Sequence, residues 1–155
     1  MKQKRRVNEI IGIVFFLTAL FLQAVSVFLC FSSDIWYDEL FTMGLADQPL
    51  GKLISITARD VHPPLYYMIV KLFVDVTGAF SGSIQPVAAA KLVSVLPFLL
   101  CDLYGMTLVR KRFGMLTAGL FCFLLSAMPG LTGYMVEVRM YGFAMFFVTA
   151  LMLHG

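Results

Sequence analysis

Three short stretches of this chain hold side chains able to exchange a proton or grip an anion. "SDIWYDELFT" carries Asp38 and Glu39 beside Trp36 and Tyr37. "RDVHPPLYY" carries Asp60 and His62 ahead of Pro63 and Pro64, and "VEVRMY" carries Glu137, Arg139 and Tyr141. A carboxylate suits a general base, and Arg or a protonated His suits an anionic oxygen. Asp38 and Glu39 are adjacent, so on a helix they diverge by about 100° and cannot both face one atom. One would act as the base while the other holds loop structure. The plainer reading makes both the acids of a first helical turn, where they offset the N-terminal dipole, with "ELFTMGLA" as that helix. Trp36 and Tyr37 suit interfacial anchors.

The two prolines fix the entry to a helix, Pro64 suiting its first turn, and hold Asp60 and His62 at a set height. A lone His serves structure as readily as function. Glu137 and Arg139 would form a loop ion pair, which contributes little when exposed. Tyr134, Glu137 and Tyr141 fall three and four apart, so a helix there would set a carboxylate between two tyrosines. Lys91, inside an apolar run, would either snorkel to headgroups or meet a lipid phosphate. Asp102, deeper in that run, reads as structural. Asp38, Glu39 and Glu137 offer hard oxygens to a divalent metal, but no spacing demands one and no cofactor is expected.

The elements that must position these groups are apolar. Hydrophobic residues make up 60% of the 155, charged residues 14%, and mean hydropathy is +0.87. An ordinary soluble domain is closer to half apolar and a quarter charged, so an all-α integral membrane protein is expected. Ile10 to Phe31 is uncharged for 22 residues, roughly 33 Å of helix at about 1.5 Å per residue. That exceeds a membrane core of about 30 Å and is too long for a signal peptide. Further spans are expected over 87–109 and 115–136, with a fourth, cut short by the chain end, over 140–155. Together with short interfacial helices in a large first outer loop, 32–86, they make one membrane domain over 1–155. The three cysteines, Cys30, Cys101 and Cys122, read as small buried hydrophobes.

Basic residues set the sidedness. Lys2, Lys4, Arg5 and Arg6 precede the first span and Arg110 to Arg112 follow the second, as cytoplasmic flanks do. These flanking apolar runs argue against a nucleic-acid patch, so no nucleic-acid partner is expected. Pro64 to Thr77 is only 14 residues, roughly 21 Å, and contains Lys71 and Asp75, so it is placed flat at the outer interface. The 32–86 loop and the Glu137 turn then share the outer side, where their acids, His62 and Arg139 can converge.

"WYDELFT", "DVHPPLYY", "KLVSVLPF", "RKRFG" and "VEVRMY", in this order, resemble the N-terminal part of GT-C-type integral membrane glycosyltransferases. The likeness is to the bacterial members related to protein O-mannosyltransferases and lipid A aminoarabinose transferases. It implies a bacterial cell-membrane location with a cytoplasmic N-terminus. It also implies a polyprenyl-phosphate-linked sugar donor and transfer to an acceptor hydroxyl at the outer face. By the same resemblance Asp38 is the base with Glu39 beside it, and Glu137 is a second acidic member. His62, Arg139 and Lys91 stand near the donor phosphate, with Tyr141 alongside as a substrate-binding residue. Members are several times longer, so the resemblance also implies a missing C-terminal portion or a partner subunit. The rival expectation is a non-catalytic membrane protein, either an inactive fragment or a transporter or assembly subunit. Transport sites tend to sit at the bilayer midplane, whereas these acids fall in outer loops.

Overall fold

The computed structural model describes residues 2–60, 62–80 and 84–154, and of Phe80 the backbone only. The described residues form helices and connecting turns, with no strand among them. The first helix, α1 (Lys2–Ser32), is followed by three shorter ones: α2 (Tyr37–Ala46), α3 (Leu50–Thr57) and α4 (Leu65–Phe80). Next comes α5 (Pro86–Tyr104), which continues through a π-helical turn (Gly105–Val109) into α6 (Arg110–Phe113). The chain then forms α7 (Met115–Ala127), the short α8 (Leu131–Tyr134) and α9 (Tyr141–His154).

Two helices are long and apolar enough to cross a membrane, by length and composition: Lys2–Ser32 and the continuous Pro86–Phe113. Met115–Ala127 and Tyr141–His154 are apolar but shorter. The uncharged run 115–136 was expected to be one span, and it is not one helix. Pro129 offers no amide hydrogen to a continuing helix, and Gly130 turns the chain at φ +88°. What remains is 13 residues of α7, about 20 Å long, and the separate turn of α8. The expected outer loop 32–86 does carry short helices, α2 to α4.

Small residues let α1 and α7 approach closely. Gly12, Ala19, Gln23, Ser26 and Cys30 are the buried residues of α1, and Met115, Ala118, Gly119, Cys122 and Ser126 those of α7. A Cβ added to Gly119 would lie 1.9 Å from the Gly12 carbonyl oxygen, so backbone meets backbone there. This is how helices associate where lipid removes the hydrophobic drive: close packing plus a few polar ties. The tie is the Gln23 amide, which donates to Asp102 Oδ2 at 2.8 Å and to Ser126 Oγ at 3.0 Å. Asp102 thus clasps α5 to α1 and α7, the structural role expected of it. Gly105, at the π turn, faces Cys122 and Phe121 so closely that a Cβ would lie 2.6 Å from Cys122 Sγ.

The contacts sort the bundle into two ends. At one end Gly12 of α1 meets the start of α7, and Arg112 donates to the Leu153 carbonyl near the end of α9 at 2.9 Å. At the other, Cys30 of α1 contacts the Met135 carbonyl at 3.8 Å, and Lys91 of α5 reaches Ser33. A second cluster, built from Leu45, Leu53, Tyr66, Tyr67, Val70, Val93 and Val138, packs α2, α3 and α4 onto this second end. Gly119→Ala should force α1 and α7 apart. We expect a loss of about 1–3 kcal/mol, the usual cost of overpacking, read as a lower melting temperature in detergent. A similar change at open Gly44 should leave melting nearly unchanged.

Candidate functional site

Helix α2 begins at Tyr37, so Asp38 and Glu39 do stand in a first helical turn. Their directions differ as helical geometry requires. Glu39 is fully buried, while the Asp38 side chain is 65% exposed. The Trp36 amide donates to Glu39 Oε2 at 2.6 Å, which closes the helix start. The other oxygen, Oε1, accepts from the Val138 amide, 99 residues away, and the Val138 carbonyl accepts from Thr42 Oγ1 at 3.5 Å. Both backbone groups of Val138 are therefore held by α2. A buried carboxylate is tolerated when several donors face it. Glu39 is thus the structural member of the pair.

That strut seats the next residue, Arg139, against Asp38. A guanidinium nitrogen, Nη2, donates to Asp38 Oδ2. Arg139 Nε also lies 3.5 Å from Glu137 Oε2, and its Cζ lies 5.8 Å from the Tyr141 ring centre. Burial opposes the Arg139 charge, but Asp38, Tyr141 and Glu137 outweigh it and raise the pKa. Arg139 is a permanent cation shared by two carboxylates and a ring. The helix expected to carry Tyr134, Glu137 and Tyr141 is interrupted here, yet the turn still brings the two tyrosine rings to 4.9 Å.

In a third segment, Asp60 closes the turn after α3 and His62 precedes α4. The Asp60 amide donates to the Thr57 carbonyl, and the Pro64 carbonyl accepts from Met68 in the first turn of α4. His62 Nδ1 lies 3.4 Å from Asp60 Oδ2. Burial pushes the Tyr67 phenol up, and the charge and hydrogen bond of Asp60 add to this, so Tyr67 stays a donor. These groups and Asp38, Arg139 and Tyr141 line one cavity of about 740 Å³, walled by Tyr37, Phe41, Tyr66 and Tyr67. An anion held by Arg139 would lie in a cavity that is also lined by aromatic side chains, one imidazole and the exposed carboxylate of Asp38.

Besides Glu39, two expected members, Lys91 and Glu137, stand apart from this cavity. Lys91 is 1% exposed and turns inward rather than snorkelling. Its ammonium donates to Ser33 O at 3.1 Å, Ser33 Oγ at 2.8 Å and Asp34 O at 2.6 Å. With three donors and three oxygens it fastens the chain where α1 ends and the loop begins. Glu137 lines a smaller cavity of about 430 Å³ beside Lys91, Ser33 and Trp36, and reaches the main cavity only through Arg139. Among the described residues no group of three or more His, Cys, Asp or Glu stands close enough to hold a metal ion, so Asp38, Glu39 and Glu137 do not form one. The tyrosine walls were missed, although "WYDE" and "HPPLYY" print three of them next to the groups singled out.

No family model, curated protein or solved structure matches the chain.

The two adjacent acids should separate in a stability test. Glu39→Ala strands two backbone amides and should lower unfolding free energy by about 2–3 kcal/mol. Asp38→Ala removes a largely exposed ion pair and should cost at most about 1 kcal/mol. Thermal melts of the two purified variants would check the difference.

Proposed function

We propose that the chain is the site-bearing part of a membrane glycosyltransferase that moves a sugar from a polyprenyl-phosphate donor to an acceptor hydroxyl. The observation that carries this reading is the convergence of Asp38, His62 and Arg139 on one cavity from three separate segments. The wall of tyrosines suits a sugar, whose C–H faces pack on aromatic rings, and Arg139 suits its phosphate. In the transfer, the bond from the sugar's anomeric carbon to the phosphate oxygen breaks. That oxygen leaves with the electron pair, and its charge falls to Arg139 and His62. The acceptor oxygen forms the new bond, and its proton passes to the Asp38 carboxylate.

A lipid-borne donor requires the site to stand at a membrane face. The site lies at one end of the bundle, and both basic clusters lie at the other: Lys2 to Arg6 at the start of α1 and Arg110 to Arg112 in α6. That separation supports a cytoplasmic N-terminus and an outer site under the positive-inside rule. On this reading α7 and α9 complete a set of four membrane helices, though each is shorter than a full span.

Two measurements test the proposal. Single cysteines at Lys52, Lys111 and Thr132, in a chain whose three native cysteines are replaced, would be treated with an impermeant maleimide on intact cells. Positions 52 and 132 should label and 111 should not; labelling at 111 would reverse the arrangement. Sugar transfer from a polyprenyl-phosphate donor would then be followed for Asp38→Asn. Loss of a positioned base should lower turnover by about 10²–10⁴-fold with donor binding retained. Unchanged turnover would remove Asp38 from the base role.

A further inference from the structure

Arg139 and Asp38 engage each other directly, so a phosphate can reach the guanidinium fork fully only by competing with Asp38. The pair also faces the cavity at its rim, with the Asp38 side chain 65% exposed and the Arg139 side chain 28% exposed. The two partners do not move with equal ease. Arg139 directly follows Val138, whose amide and carbonyl are both pinned by α2, and its guanidinium is further held by Glu137 at 3.5 Å and Tyr141 at 5.8 Å. Among the described residues the Asp38 side chain makes no hydrogen bond or ion pair other than that to Arg139, and its exposure leaves it room to rotate outward.

From this asymmetry we infer that Asp38 is the resting partner of a phosphate site at Arg139, and that an incoming alkyl phosphate takes over Arg139 and releases Asp38. Binding and activation then become one event. While Arg139 holds it, the Asp38 carboxylate has an oxygen committed to a cation. Once a phosphate takes Arg139, that oxygen is free to accept a proton from a hydroxyl in the same cavity. Glu137 stays on Arg139 Nε, so the guanidinium keeps one carboxylate partner through the exchange. His62, backed by Asp60 at 3.4 Å, lines the same cavity and offers a second partner for the phosphate. The exchange rests on the lipid-phosphate reading for its biological ligand, but the competition itself needs only a phosphate.

The prediction runs against the usual effect of mutating a site residue: Asp38→Asn should bind phosphate more tightly. Binding of a long-chain polyprenyl phosphate and of dodecyl phosphate would be measured by calorimetry on the full chain in detergent. The proteins would be wild type, Asp38→Asn, Arg139→Gln and the double variant, each first shown to melt as wild type does. Removing a partly exposed ionic competitor should tighten binding by about 3- to 5-fold. Arg139→Gln should weaken it by about 10-fold or more. In the Arg139→Gln background, Asp38→Asn should change binding by less than about 1.5-fold, since no shared partner is left to release. Equal tightening in both backgrounds would show simple charge repulsion and overturn the exchange, as would no tightening in either. If dodecyl phosphate follows the expected pattern and the polyprenyl phosphate does not bind, the exchange stands and the lipid-donor reading falls. If the polyprenyl phosphate binds and Asp38→Asn leaves it unchanged, the donor reading stands and the exchange falls. Binding of neither phosphate by wild type overturns both.

Discussion

A buried carboxylate, Glu39, joins two loops that lie a hundred residues apart in the chain, and the geometry of the cavity follows from it. Its two oxygens take the amides of Trp36 and Val138, while Thr42 takes the Val138 carbonyl. That link, together with Val138 packed into the cluster formed with α2, α3 and α4, sets the distance from Arg139 to α2. With it, Asp38 and Arg139 face each other at a cavity rim. The carboxylate is buried without a cation among its hydrogen-bond partners, so its solvation comes from backbone dipoles. Such a group ties position to hydrogen-bond geometry and tolerates little displacement.

The bundle beneath keeps that link in place by close packing and by charge. Gly12 and Gly119 bring α1 and α7 into backbone contact, and Gln23 gathers Asp102 and Ser126 in the interior. Higher up, the Lys91 ammonium gives all three donors to Ser33 and Asp34, at the point where the chain leaves α1 for the loop. The stretch Ser33 to Trp36 is therefore anchored at its start by Lys91 and at its end by Glu39. Two buried charged side chains thus hold a segment that the proposed chemistry needs in register, and neither is free to act on a substrate in the main cavity.

The site combines one permanent cation, the carboxylates of Asp38 and Asp60, an imidazole and five tyrosines or phenylalanines in a single concavity. Arg139 among aromatic walls suits an anion attached to a partly apolar body. The proposed donor, a sugar on a lipid phosphate, has this character. The second cavity, beside Glu137 and Trp36, shares no lining residue with the first.

The sequence by itself determined the helical class, the two long apolar helices and the three polar knots, because hydropathy, helix-breaking and residue type are local properties. It also showed that Asp38 and Glu39 must diverge, since 100° per residue is a property of any helix. It did not show which of them is buried. That choice depends on the Val138 amide, a partner 99 residues away that no spacing rule reaches. Lys91 is the same kind of case: a lysine one turn from a helix end snorkels in isolation, and only the arrival of Ser33 and Asp34 gives its ammonium better partners inside. The run 115–136 misled for the opposite reason. Its lack of charge favoured one span, while Pro129 and Gly130 broke the backbone, and a window of hydropathy does not register backbone geometry. Tertiary structure alone decided that Asp38, His62 and Arg139 share one cavity, because only packing brings α2, the α3–α4 turn and the loop before α9 to the same end of the bundle.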